Sequence, residues 1–188
     1  GTPMRGKAYH TYGYNNMRDY PLADDKYAIE QLANRYDFID INRVGIFGHS
    51  GGGFMATAAI CTYPDFYKAA VSSSGNHDNN IYNRGWVEIY NGVQESTKTI
   101  QTATGKDSII YTFSSHVPTN MELAKNLKGH LLLVSGDQDR NVHPAHLLRM
   151  ANALIQANKN FEMLLIPGAK HGYTGQANRF FEKKLWFH

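Results

Sequence analysis

The stretch Arg43-Val44-Gly45-Ile46-Phe47-Gly48-His49-Ser50-Gly51-Gly52-Gly53 constrains the fold more than any other part of the 188-residue chain. A short apolar run breaks into a serine among glycines, and an alanine-rich helical pattern from Phe54 to Ile60 then continues until Pro64 stops it. Gly48-His49-Ser50-Gly51-Gly52 thus fits G-x-S-x-G in the strand, turn and helix context that the motif requires. Small residues on either side let the backbone take the sharp turn that presents a serine hydroxyl at the carboxyl end of a strand. The Gly51 N–H then becomes one donor to a developing oxyanion, reinforced by the N-terminus of the following helix. A phosphate-binding loop is the competing interpretation, but no Gly-Lys-Ser/Thr follows the glycines.

The rest of the chain supplies a frame for such a turn. Residues up to about 20 show no regular period and read as loop. Pro21-Leu22-Ala23-Asp24-Asp25 suits a helix first turn, and Leu22, Ile29, Leu32, Ala33 and Tyr36 recur near helical spacing, which predicts a helix ending near Asp37. Three further short apolar runs, Ala69 to Ser73, His130 to Ser135 and Phe161 to Ile166, read as buried parallel strands. Helical patterns over Met121 to Leu127, Pro144 to Ala157 and about Gln176 to Trp186 separate or follow them. This alternation predicts one α/β domain with a mostly parallel sheet and helices on both faces. The polar, aromatic-spotted insert between Gly75 and Ser115 is the natural place for an excursion toward substrate.

A serine at its ordinary pKa is a weak nucleophile, so the turn demands a histidine base and an acid to orient it, in the order Ser, Asp/Glu, His. The run His130 to Ser135 leads into Gly136-Asp137-Gln138-Asp139, and Phe161 to Ile166 leads into Pro167-Gly168-Ala169-Lys170-His171-Gly172. Each polar segment follows the carboxyl end of a strand, as Ser50 does, and a parallel sheet gathers those ends on one edge. His171 is therefore the candidate base. Asp137 and Asp139 compete for the acid, and Asp139 is preferred because the loop must leave the strand before turning back. His49 reads as a packing or hydrogen-bonding residue. His143 and His146, three apart at a helix start, have the spacing of metal ligands but no evident third partner. Cys61 reads as core.

Composition narrows the classes. With 42% hydrophobic and 19% charged residues the chain is too apolar for a disordered segment. Its net charge of +3 comes from a small excess spread along the chain, which gives no case for nucleic-acid binding. A single cysteine forms no internal disulfide. The longest aliphatic stretch, Leu131 to Val134, is far short of the roughly 20 residues that span a bilayer, and the opening Gly1-Thr2-Pro3-Met4-Arg5-Gly6 does not resemble a signal peptide.

Taken together, Arg5-Gly6-Lys7-Ala8-Tyr9-His10, Asp37 to Arg43 leading into Val44 to Gly53, Ser135-Gly136-Asp137-Gln138-Asp139-Arg140-Asn141-Val142-His143 and Lys170-His171-Gly172 resemble the C-terminal catalytic domain of the prolyl oligopeptidase family, in its dipeptidyl peptidase IV branch. The resemblance spans nearly the whole chain. It implies an α/β-hydrolase fold, Ser50 as nucleophile, Asp139 as acid and His171 as base, with no cofactor and no metal. It also implies that Tyr82, Trp86 and Val142 wall the pocket for the residue before the scissile bond. The chain departs from the family at Gly51, where a tyrosine commonly helps shape that pocket.

The resemblance implies a serine peptidase releasing N-terminal dipeptides from short peptides, in a periplasmic or secreted setting. A carboxylesterase, an acylaminoacyl peptidase and a non-catalytic interaction module on the same fold are the competing readings. In the family an N-terminal β-propeller covers the hydrolase domain, and here one strand alone precedes Ser50. The expectation is thus a fragment over residues 1–188 with about four parallel strands, poorly active alone. It would leave an apolar sheet edge uncovered that invites self-association, for instance as a homodimer.

Overall fold

The computed structural model describes residues 3–188. Four parallel strands form the main sheet in the order β1-β2-β5-β6: β1 Val44–His49, β2 Tyr67–Ser73, β5 His130–Gly136 and β6 Glu162–Ile166. Between them run α3 Gly51–Thr62 after β1 and α5 Ala145–Gln156 after β5, while α1 Lys7–His10 and α2 Leu22–Arg35 precede β1 and α6 Gly175–Phe187 follows β6. Because consecutive strands are parallel, the carboxyl ends of β1, β2, β5 and β6 lie along one edge of the sheet, and each leads into a loop that bears polar residues.

Period-two alternation in the central strands assigns the core to two layers. Ala70, Leu131 and Leu133 face a cluster with Leu22, Ala58, Ile60, Met150 and Leu154, so α2, α3 and α5 cover that face. Val71, Leu132 and Val134 face the other way, onto Ile166, Tyr173 and the Ala177, Phe181 and Leu185 stripe of α6. Helices therefore lie on both faces of the sheet. Cys61 is fully buried, and its burial pushes the thiol pKa up to about 12, so it is an inert core group.

Three readings change. The opening segment is not loop throughout, since Lys7–His10 form the single-turn helix α1. The run Phe161 to Ile166 is a strand, but not one buried on both faces. It forms an edge of the sheet, where Leu164 packs under α6 while Met163 and Leu165 remain exposed because α5 packs against β5 instead. β1 holds the opposite edge, with Phe47 61% exposed beside Trp186 of α6. The segment Met121 to Leu127 is helical in a tighter form, a 3-10 stretch over Asn120–Asn126, started by Glu122 accepting the Thr119 N–H at 2.9 Å.

The insert contains α4 Arg84–Asn91 and an antiparallel hairpin, β3 Gln94–Gln101 with β4 Asp107–Ser114, whose turn includes Gly105 at φ +74°. Among the described residues no helix is long and apolar enough to cross a membrane.

Candidate active site

Ser50 sits between β1 and α3 at φ 57° and ψ −122°, a backbone conformation that a non-glycine residue adopts only under constraint, at a cost of ~1–3 kcal/mol. Two contacts impose it. The Ser50 N–H donates to the Ser73 carbonyl at 2.8 Å, and the Phe54 N–H donates to the Ser50 carbonyl at 3.0 Å, so the turn is tied both to β2 and to the first turn of α3. Glycine is required at 48, where a Cβ would lie 2.2 Å from the Gly52 carbonyl oxygen. The expected need for small residues therefore holds before the serine, at 48, and not directly after it, since a Cβ at Gly51 or Gly52 would meet no atom within 4 Å.

The loop after β6 carries His171 back over this turn. Its Nε2 lies 3.0 Å from Ser50 Oγ, and its Nδ1 lies 2.8 Å from Asp139 Oδ2. Asp139 is the acid on the imidazole. Its other oxygen, Oδ1, accepts the N–H groups of Asn141 and Val142, both at 2.9 Å, so the carboxylate is held by three donors although its side chain is fully buried. Asp137 turns elsewhere. Its Oδ1 accepts the Gly168 N–H at 2.6 Å and ties the loop after β5 to the loop after β6. Both aspartates are thus used, one on the histidine and one on the backbone that carries the histidine.

Gly51 is the first residue of α3, so its N–H has no acceptor within the helix and points from the positive end of the helix dipole beside Ser50. The arrangement can therefore take a proton from Ser50, stabilise the resulting imidazolium against a buried carboxylate, and offer an N–H to an oxyanion.

An open cavity of about 440 Å³ adjoins the turn, lined by Gly51, Phe54 and Met55 of α3, by Trp86, Ile89 and Tyr90 of α4, by Asn76, and by the opening segment through His10, Thr11, Gly13, Tyr14, Met17 and Tyr20. Of the three side chains expected to wall a substrate pocket, Trp86 lines this cavity. Tyr82 stacks edge-on against Trp86 at 5.3 Å and donates its hydroxyl to Asn141 Oδ1 at 2.8 Å. Val142 is 2% exposed, drawn inward by its N–H bond to Asp139, and is not among the residues lining the cavity.

Sequence reasoning missed the contribution of residues 10–20, read there only as loop. The density of tyrosine at positions 9, 12, 14 and 20 was the available signal, since exposed aromatic residues gather at binding surfaces. His49 bonds Ser73 Oγ through Nδ1 at 3.0 Å, in keeping with a hydrogen-bonding role. His146 is buried and accepts the Asp78 N–H, whereas His143 is exposed and accepts the Ala145 N–H, so the two do not converge on one point.

The model of the prolyl oligopeptidase family matches residues 1–187. Dipeptidyl peptidase 8 of Homo sapiens is 29% identical over 171 residues, covering 91% of this chain and 18% of its own length. Prolyl endopeptidase FAP of Homo sapiens is 24% identical over 175 residues, covering 93% and 21%. The chain therefore spans about a fifth of the length of these relatives.

Among solved structures, a putative dipeptidyl aminopeptidase IV from Bacteroides ovatus superposes with a TM-score of 0.80 at 23% identity, over 97% of this chain and 24% of that one. Porphyromonas gingivalis dipeptidyl peptidase 4 gives 0.78 at 24% identity, over the same shares. These likenesses establish the α/β-hydrolase fold. With a family match over almost its whole length and that fold, the chain belongs to the prolyl oligopeptidase family of peptidases.

Proposed function

We propose that this chain is the hydrolytic unit of a serine peptidase that cleaves peptide bonds through an acyl-enzyme, releasing dipeptides from the amino termini of short peptides. The observation that carries the reading is the unbroken Asp139–His171–Ser50 hydrogen-bonded chain, built on a strained serine turn. Ser50 Oγ attacks the scissile carbonyl carbon while His171 Nε2 takes its proton. The imidazolium is stabilised by Asp139, which also keeps the remaining ring proton on Nδ1. The Gly51 N–H donates to the oxyanion. His171 then protonates the leaving amine, and water, deprotonated by the same nitrogen, releases the acid from Ser50.

The names of the relatives, dipeptidyl peptidase 8 and the two dipeptidyl peptidase structures, support a dipeptide as the product. The greater length of those relatives supports a further domain, a β-propeller, as the partner that admits the peptide. The apolar cavity beside Gly51 supports a bulky side chain next to the scissile bond, with Trp86 as its wall and Tyr82 packed edge-on against Trp86.

The test is a comparison of p-nitroanilide dipeptides, N-acylated amino-acid anilides and short-chain p-nitrophenyl esters on the full-length protein. The proposal expects the free-amino dipeptides to give the highest kcat/KM. Turnover confined to esters would replace it with a carboxylesterase, a preference for the blocked anilides with an acylaminoacyl peptidase, and no turnover of any with a non-catalytic module.

A further inference from the structure

We propose that Ser73, His49 and Tyr173 form a positioning relay that holds His171 over Ser50, an inference that rests on the serine-peptidase reading above. Ser73 is the hub. Its carbonyl accepts the Ser50 N–H at 2.8 Å, its hydroxyl donates to the Tyr173 hydroxyl at 2.9 Å, and the same oxygen lies 3.0 Å from His49 Nδ1. A serine hydroxyl has one proton. With it directed to Tyr173, the bond to His49 is carried by the His49 Nδ1–H, which fixes that ring's tautomer.

Tyr173 stands two residues after His171, in a segment that belongs to neither β6 nor α6; before the histidine the loop is held by the Gln138 N–H on the Ala169 carbonyl at 3.0 Å, and after it Tyr173 supplies the tie to the sheet. Its phenol reaches the carboxyl end of β2, where it also meets Ser74 Oγ at 3.3 Å, and its ring packs edge-on against Phe181 of α6 at 5.0 Å. The tyrosine pins the loop to the sheet. His49 closes the circuit from the other side, since its ring is tilted at 54° against His171 with centroids 4.8 Å apart, and its backbone continues directly into Ser50. Nucleophile and base are thus referred to one serine on a third strand.

The chemistry requires His49 to be neutral, because a second positive charge at that distance would oppose formation of the His171 imidazolium. Partial burial and the charge of His171 push His49 below the ordinary histidine range, outweighing the opposite pull of Asp139 and of the His171 carbonyl. The Tyr173 phenol is pushed above its usual range, chiefly by burial, and so keeps its proton.

The experiment is a double-mutant cycle on the full-length protein with Tyr173→Phe, His49→Phe and their combination, and with His49→Asn, whose amide reproduces the donor at Nδ1. The readouts are the rate constant for inactivation by a small alkyl fluorophosphonate, kcat and KM on a peptide substrate, and the melting temperature. Each single Phe variant should lose about 3- to 10-fold in inactivation rate and in kcat with KM unchanged, the size of one neutral hydrogen bond. The double variant should lose no more than the worse single one, and His49→Asn should stay within about 2-fold of wild type.

Tyr173→Phe reacting at the wild-type rate, strictly multiplicative losses, or losses that track a lowered melting temperature while Asn fails to rescue would each overturn the relay. If the unmutated protein failed to react at Ser50, the peptidase reading would fall instead, so the two failures are distinguishable.

Discussion

Asp139→Asn tests how the acid works, because its geometry determines what the amide can do. The carbonyl oxygen of asparagine must remain toward the Asn141 and Val142 N–H groups, both 2.9 Å from Oδ1, since a flipped amide would oppose two donors with two more. The NH2 then faces His171 Nδ1, 2.8 Å from the other position, and that nitrogen must accept. The ring proton moves to Nε2, where it points at Ser50 Oγ 3.0 Å away, and His171 can no longer take the serine proton. A trapped tautomer of this kind lowers kcat by about 10⁴-fold, or ~5.5 kcal/mol of transition-state stabilisation.

Stability should change far less, by ~1 kcal/mol, because both backbone bonds survive. Asp137→Asn is the matched control. That exposed carboxylate accepts only the Gly168 N–H, which an amide oxygen accepts equally well, so kcat should fall by less than about 10-fold. Steady-state kinetics on a dipeptide anilide, with melting temperatures alongside, decide it. Asp139→Asn keeping a tenth of wild-type kcat, or Asp137→Asn losing as much as it does, would refute the reasoning.

Three further outcomes follow from the same contacts. His77 and His146 are buried and held neutral, their pKa values pushed down to about 3 and about 4 mainly by burial, against 6.5 in the unfolded chain. The unfolded state therefore binds more protons, and the stability these residues contribute is complete above about pH 6.5 and is lost as pH falls toward 4, at up to ~1.4 kcal/mol per unit per histidine. Urea midpoints should drop over that window, less steeply in His77→Gln; a flat profile in the parent would contradict this. Gly48→Ala should cost ~3 kcal/mol or more, or abolish folding, as its methyl would meet the Gly52 carbonyl at 2.2 Å; a soluble, active variant would show that the turn can open. Gly51→Tyr, whose Cβ meets no atom within 4 Å, should fold and lower the kcat/KM ratio of bulky over small residues before the scissile bond by about 10-fold, and an unchanged ratio would separate the cavity from substrate selection.

How much of this was legible in the chain depended on whether the signal was local. β1, the serine turn and α3 are contiguous, and the glycine at 48 announces a close backbone approach, so their order could be read directly from residues 43–60. His171 and the pair Asp137/Asp139 were legible by topology, as residues just past strand ends. Position past the strand end favoured Asp139 over Asp137 without excluding the latter, because the choice rests on which carboxylate meets Nδ1 and which meets the Gly168 N–H across the sheet. The exposure of β6 was hidden because Met163 and Leu165 are as apolar as core residues, and only the position at the sheet edge distinguishes them. The hairpin of β3 and β4 left little periodicity, since most of its residues are exposed on both faces and nothing selects alternation. The relay through Tyr173 and Ser73 joins residues 100 positions apart, with no motif to mark either.

The central claim is that Ser50 is a nucleophile activated by His171, and covalent labelling tests it most directly. The full-length protein should be treated with a fluorophosphonate, digested, and the adduct located by mass spectrometry. The account predicts one stoichiometric adduct on Ser50, abolished in Ser50→Ala and slowed by several orders of magnitude in His171→Ala. An adduct on another residue, or labelling of Ser50 at an unchanged rate without His171, would contradict it.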